Sequence, residues 1–161
     1  MLLPKPINIK ADRYVGGLSK FKKINNPIKL SANESALGAS PKAIKAFEKD
    51  KNNIFNYPES ESNSLRDVIS KKFSIEFDRI ICGAGSDQIF DFTCKLFLEP
   101  GDEVVVSEYG FIMHRIYSSI YRAKVLLARE KNYKVSVNEI LSKVTEKTKI
   151  VFIANPNNPT G

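Results

Sequence analysis

Between residues 79 and 154 the chain alternates short apolar runs with amphipathic stretches, and that alternation restricts the fold more than any other feature. Glu103-Val-Val-Val-Ser107, Lys124-Val-Leu-Leu-Ala128 and Lys149-Ile-Val-Phe-Ile-Ala154 are nearly continuous in aliphatic and β-branched residues. Strands buried on both faces read this way. A shorter run, Arg79-Ile-Ile-Cys82, precedes them and is expected as a strand too. Residues 86–98, 111–121 and 137–144 carry apolar side chains at helical spacing. Strands alternating with helices predict an α/β fold, a mostly parallel sheet covered by helices.

Upstream, Ser40-Pro41 marks the start of a helix, with Ser as cap and Pro at the first helical position. Ala43, Ile44 and Phe47 supply its stripe; Leu65, Val68, Ile69 and Phe73 mark a second helix. Residues 1–30 lack periodicity and hold Pro4, Pro6, Gly16, Gly17 and Pro27. They read as an extended arm. The expected division is an arm over 1–40 and, over 41–161, the front part of a larger domain. The last strand empties into a loop without the helix that a βα unit needs to cover its sheet. The 161 residues are therefore expected to begin a longer protein.

The net charge of +7 would suit nucleic acid only if the lysines gathered on one face. They come in ones and twos, mixed with Asp and Glu, as on solvated helix faces. A positive cleft for an anionic substrate fits the same charge. No apolar run nears the ~20 residues of a membrane span. The N-terminus lacks the apolar segment and cleavage site of a leader. The expectation is a cytoplasmic protein without nucleic-acid or membrane partners. Cys82 and Cys94 form neither a disulfide framework nor a C-x-x-C pair and read as small core residues. His114 is the only histidine, so no metal site is expected. It reads as structural or solvent-facing.

The chemistry gathers where strands end. After the last strand comes Asn155-Pro156-Asn157-Asn158-Pro159-Thr160-Gly161, a polar loop at the carboxyl edge, where open α/β sheets bind ligands. Asn and Pro would also make an ordinary turn there. Gly83-Ala-Gly-Ser-Asp-Gln88 lies between strand and helix. Its glycines and the helix N-terminus suit a phosphate, with Asp87 well placed to cap the helix; a tight βα turn reads the same. It also half-matches the dinucleotide fingerprint, through Gly83, Gly85 and an acid, Glu108, at the end of the next strand. A third glycine is missing. Tyr109, beyond that strand, can lay its ring on a planar heterocycle or simply anchor its loop.

Several segments occur together in a telling order: Leu30-Ser-Ala-Asn-Glu34, Asn56-Tyr-Pro-Glu-Ser60, Gly83-Ala-Gly-Ser-Asp-Gln88, Glu99-Pro-Gly-Asp-Glu-Val104, Glu108-Tyr-Gly110 and the final Asn-Pro loop. In this order the chain resembles the class I/II, fold-type I aminotransferases that use pyridoxal 5'-phosphate (PLP). Within them it is similar to the N-terminal part of the histidinol-phosphate aminotransferases, from about Tyr14 to Gly161. The resemblance implies the aspartate aminotransferase-like large domain, incomplete here. It implies amino transfer between an amino donor and a keto acceptor, in histidine biosynthesis, by a homodimer.

Residue by residue, the resemblance implies that Gly85, Ser86 and Asp87 form the phosphate site and that Tyr109 stacks on the pyridine ring. Asn158 would bond the phenolic oxygen. Tyr57 would reach the cofactor phosphate of the neighbouring subunit. Tyr14 and Asn33 would line the substrate pocket. No catalytic residue is assigned, because the Schiff-base lysine of the family lies beyond Gly161. Its aspartate partner for the pyridine nitrogen and its substrate arginines lie there too. The remaining alternatives are an aromatic amino-acid aminotransferase, a PLP-dependent decarboxylase of a phosphorylated amino acid, a nicotinamide-dinucleotide domain and a non-catalytic binding module.

Overall fold

The computed structural model describes residues 8–18 and 28–161. The chain folds as two compact units, Val15–Cys82 and Met1–Tyr14 with Gly83–Gly161. Of the expected arm, residues 1–7 and 19–27 lie outside the described residues, and 8–18 and 28–30 contain no helix or strand.

The unit Val15–Cys82 holds α1 (Pro41–Asp50), a 3-10 turn (Lys51–Asn53), α2 (Asn63–Phe73) and a second 3-10 turn (Phe77–Arg79). Pro41 opens α1 as expected, but the Ser40 side chain makes no capping bond. Helix α2 stops at Ser74, whose left-handed backbone (φ 54°) returns its N–H to the Ser70 carbonyl; this motif usually uses glycine. Arg66 joins the helix to the turn after it. Its guanidinium lies 3.9 Å from the Phe77 ring centre and donates to the Phe77 carbonyl at 3.0 Å.

The strand expected over 79–82 does not form. Arg79 closes the second 3-10 turn, and Ile80 is extended (φ −114°, ψ 124°). Its segment pairs with no strand among the described residues. An extended apolar run becomes a strand only when a ladder satisfies its backbone groups, and a single segment cannot reveal its partner.

The other unit holds the sheet. Strands β1 (Glu103–Ser107), β2 (Lys124–Ala128) and β3 (Thr148–Phe152) are parallel, in the order β2-β1-β3. Around them lie α3 (Gly85–Phe97), α4 (Ile112–Ile120) and α5 (Val137–Lys143). The pleat sorts the apolar residues onto two faces. Val104 and Val106 pack with Val125, Ile150 and Phe152 against Cys94, Leu98, Tyr117 and Tyr121 of the α3–α4 layer. Val105 faces the opposite way, with Leu126 and Ala128 against Ile140 of α5. Central strand β1 is buried throughout, whereas on β3 Val151 remains 39% exposed.

At the amino edge of the sheet, the buried Glu103 carboxylate accepts from Thr145 Oγ1 at 2.6 Å and Lys124 Nζ at 3.0 Å. The hydroxyl, and then the ammonium, hold its carboxyl below the usual range. Asp12, in the described part of the arm, pairs with Arg115 of α4 at 2.8 Å. Among the described residues no helix is long and apolar enough to cross a membrane.

The burial contrast sets a test. Truncating fully buried Val105 to Ala should lower stability by about 2 kcal/mol, since two methyl groups leave a packed layer. Val151→Ala should lose less than about 1 kcal/mol. Urea unfolding followed by circular dichroism measures both, and equal losses would contradict the packing described.

Candidate functional site

Three loops form the candidate site, all within the sheet-bearing unit. The first enters α3. Ala84 (φ −74°, ψ 71°) makes an inverse γ-turn in which the Gly85 N–H donates to the Gly83 carbonyl at 2.8 Å. Gly85 then takes φ +75°, and beyond its chain neighbours and its own helix backbone no atom of the described residues lies within 4 Å of where a Cβ would stand. Glycine suits both the backbone and the open space beside it.

Asp87 does not cap α3. The cap position is Ala84, and no side chain accepts a bond there from the first turn. The Gln88 side chain instead reaches back and accepts from the Ala84 N–H at 2.6 Å. The N–H groups of Ser86 and Asp87 therefore have no partner within the helix. Two unmet donors at the positive end of a thirteen-residue helix, beside open space, fit a phosphate or similar oxyanion.

The second loop follows β1. Ser107 pairs in register with Ala128 of β2, and the Glu108 N–H continues the ladder to the Ala128 carbonyl at 2.9 Å. Past the strand ends, side chains take over. The Glu130 N–H donates to Glu108 Oε2 at 3.2 Å, and the Tyr109 N–H donates to Glu130 Oε1 at 3.3 Å. Gly110 turns the chain back on β1, its N–H on the Ser107 carbonyl at 3.1 Å. A Cβ on Gly110 would collide with the Ser107 side chain. The Tyr109 ring stays 45% exposed and leans on Tyr133 with centres 5.3 Å apart.

The third loop leaves β3 and contains two cis peptide bonds, Asn155-Pro156 and Asn158-Pro159. Asn157, only 8% exposed, anchors it. Its Nδ2 donates to Thr160 Oγ1 at 2.8 Å and to Glu130 Oε1 at 3.4 Å, and its carbonyl accepts the Gly161 N–H at 2.7 Å. Asn158 is half-buried, and its amide is absent from the side-chain hydrogen bonds of the described residues.

An aromatic floor joins these loops. Phe90 of α3 meets His114 of α4 edge-on at 4.7 Å and Phe152 of β3 at 5.7 Å. The His114 ring stacks on Phe152 at 4.7 Å, 8° from parallel, and Phe111 completes the set. His114 is thus a buried member of this floor, and not solvent-facing. Burial pushes its imidazole below the ordinary value. Cys94 fills the α3–α4 core, where burial pushes its thiol up to about 11. Cys82, expected in the core, is half-buried.

The fold therefore brings Gly85, Ser86, Asp87, Tyr109 and Asn158 onto one edge of one unit. Tyr14, exposed, lies in the same unit. Asn33 (φ 56°) and the 94%-exposed Tyr57 belong to the unit Val15–Cys82. Sequence reasoning overlooked Glu130. No local signal marks it: only the β1–β2 register, Ser107 beside Ala128, sets it near Tyr109.

The parallel α/β fold has counterparts among known proteins. Residues 25–161 match the aminotransferase class I and II family model, and the chain belongs to that family. It is 56% identical, over its whole length, to histidinol-phosphate aminotransferase of Pelagibacter ubique, and spans 45% of that relative. It is 41% identical over 159 residues to histidinol-phosphate aminotransferase 1 of Caulobacter vibrioides, spanning 44% of it. Among solved structures, histidinol-phosphate aminotransferase of Sinorhizobium meliloti in complex with pyridoxal-5'-phosphate matches with a TM-score of 0.75 at 22% identity. That match covers 80% of this chain and 35% of that one, and it carries the fold. The chain thus spans less than half the length of these relatives. Membership of this family removes the nicotinamide-dinucleotide reading of Gly83 and Gly85.

The buried imidazole makes stability pH-dependent. With the folded-state pKa depressed, the unfolded chain binds the proton more readily. The contribution is complete above the unfolded value of about 6.5 and erodes as pH falls below it towards the folded value. His114→Phe should flatten the fall in unfolding midpoint between pH 7.5 and pH 5. Parallel profiles for the two proteins would refute this.

Proposed function

We propose that the intact protein is a PLP-dependent aminotransferase that moves an amino group between glutamate and imidazole-acetol phosphate, in histidine biosynthesis. The observation that carries this is a set of groups without partners among the described residues, at one sheet edge: the N–H groups of Ser86 and Asp87, the Asn158 amide and the open face of Tyr109. This set matches a ligand with a phosphate, a flat ring and a ring oxygen. The substrate assignment rests on the likeness to histidinol-phosphate aminotransferases along the entire chain.

In this reading Ser86 and Asp87 hold the phosphate through backbone N–H groups, aided by the helix dipole. Gly85 shapes the turn, since its own N–H is spent on Gly83. Tyr109 covers one face of the ring and keeps water from it. Asn158 donates to the phenolic oxygen and fixes the ring's rotation. When bound, PLP supplies an electron sink for the pair left as the substrate's α-proton departs. The lysine that moves that proton is assigned to the protein beyond Gly161.

The reading extends to a cytoplasmic homodimer. Tyr57 of one subunit reaches the phosphate of its neighbour's cofactor, and Tyr14 and Asn33 line the substrate pocket. Residues 1–40 serve as an arm and 41–161 as part of the cofactor-binding domain.

Tyr109→Ala and Asn158→Ala in the intact protein should each weaken PLP retention, by about three- to tenfold for the ring contact, and shift the bound cofactor's absorbance. Dialysis followed by a visible spectrum reads both effects. If both variants keep the cofactor with an unchanged band, the ring has been misplaced. A separate assay of glutamate-dependent amination, imidazole-acetol phosphate against aromatic keto acids, tests the substrate.

A further inference from the structure

The turn after β2 touches both loops of the site. Glu130 Oε1 takes two donors at once, the Tyr109 backbone N–H at 3.3 Å and Asn157 Nδ2 at 3.4 Å. One carboxylate oxygen thereby links the residue that covers the ring to the neighbour of the residue that would bind its oxygen. The arrangement is not optimal for stability. Glu130 Oε2 and Asn157 Oδ1 are both buried, and neither has a partner among the described residues. Buried acceptors left unpaired destabilise a fold.

The turn itself is strained. Lys131 and Lys134 close it, the Lys134 N–H on the Lys131 carbonyl at 3.1 Å. Between them Asn132 (φ 55°) and Tyr133 (φ 59°) both take left-handed backbone. Asn tolerates this; the second position of such a turn ordinarily uses Gly. A bulky aromatic held in this region points to a use for its side chain. Here the Tyr133 ring leans on Tyr109, 50° from parallel.

We infer that Glu130 and Tyr133 are positioning residues: together they hold Tyr109, and through Asn157 the Asn158 loop, in the geometry that receives the cofactor. The inference rests on the reading of Tyr109 and Asn158 given above. Glu130 fixes the Tyr109 main chain and the Asn157 side chain, and the Tyr133 ring packs against that of Tyr109. Neither touches the reacting atoms.

The test uses the intact protein, stripped of cofactor and titrated with pyridoxal 5'-phosphate. Four properties are read: affinity, the absorbance of the bound form, the apo unfolding midpoint and hydrogen exchange at the Tyr109 amide. Glu130→Ala should speed that exchange, shift the band and weaken affinity about tenfold, the loss expected for a charge-assisted bond. Glu130→Gln keeps an acceptor oxygen and should return affinity to within about threefold of the parent. Tyr133→Gly relieves the turn, so the apo midpoint should hold or rise while affinity falls. That opposition separates positioning from a merely structural role.

If Glu130→Ala binds as the parent does while Tyr109→Ala loses cofactor, the inference fails and the site reading stands. If Tyr109→Ala and Asn158→Ala also bind normally, both fail. An affinity loss in Tyr133→Gly matched by a lower apo midpoint would likewise overturn the positioning role.

Discussion

Strand β1 is the constraint on which the sheet-bearing unit depends. It is hydrogen-bonded along both edges and buried on both faces, so Val104 and Val106 require a helical layer on one side and Val105 requires one on the other. The chain leaves β1, returns on the β2 side, then passes to the β3 side. Successive connections on opposite flanks leave a crevice at the carboxyl ends of β1 and β3, the switch point at which such sheets bind ligands. The Tyr109 and Asn158 loops are the two that open there.

Two interactions of different character hold the crevice. The aromatic floor of Phe90, His114 and Phe152 is apolar and wide, and it fixes the start of α3 against the end of β3. Above it, Glu130 acts at short range through two long hydrogen bonds. The floor sets where the loops stand, within the tolerance of packed rings. The carboxylate sets how the main chain turns at Tyr109 and where the Asn157 side chain is held. Losing the first would loosen the fold, whereas losing the second would leave the fold and blur the site.

Much of this was legible beforehand, for identifiable reasons. Strands β1 and β2 were readable to the residue because an uninterrupted valine or leucine run has few other uses in a chain with helices on either side. The turn into α3 was readable because Gly83, Gly85 and a helix start encode it locally. What depended on distant partners was not. The segment 79–82 has strand composition but no ladder. Asp87 had a capping residue's chemistry, yet Gln88 met the turn's donor. Glu130 looked like one more surface acid until the β1–β2 register set it beside Tyr109. His114 likewise gave no local sign that it would lie flat on a ring from a strand 38 residues later (Phe152).

Gly110 carries a consequence for any effort to change what the site accepts. A Cβ there would meet the Ser107 hydroxyl, which must turn aside to admit it, while its neighbour Tyr109 stands partly open to solvent. Adjacent positions thus differ in the room they offer a new side chain. A combinatorial library can vary the ring at Tyr109 and explore new partners. The same library randomised one codon further would first have to displace the Ser107 hydroxyl. The path of this loop behaves as hardware and its side chain as the setting, so altered selectivity should be sought in what the loop displays, with its course left as it is.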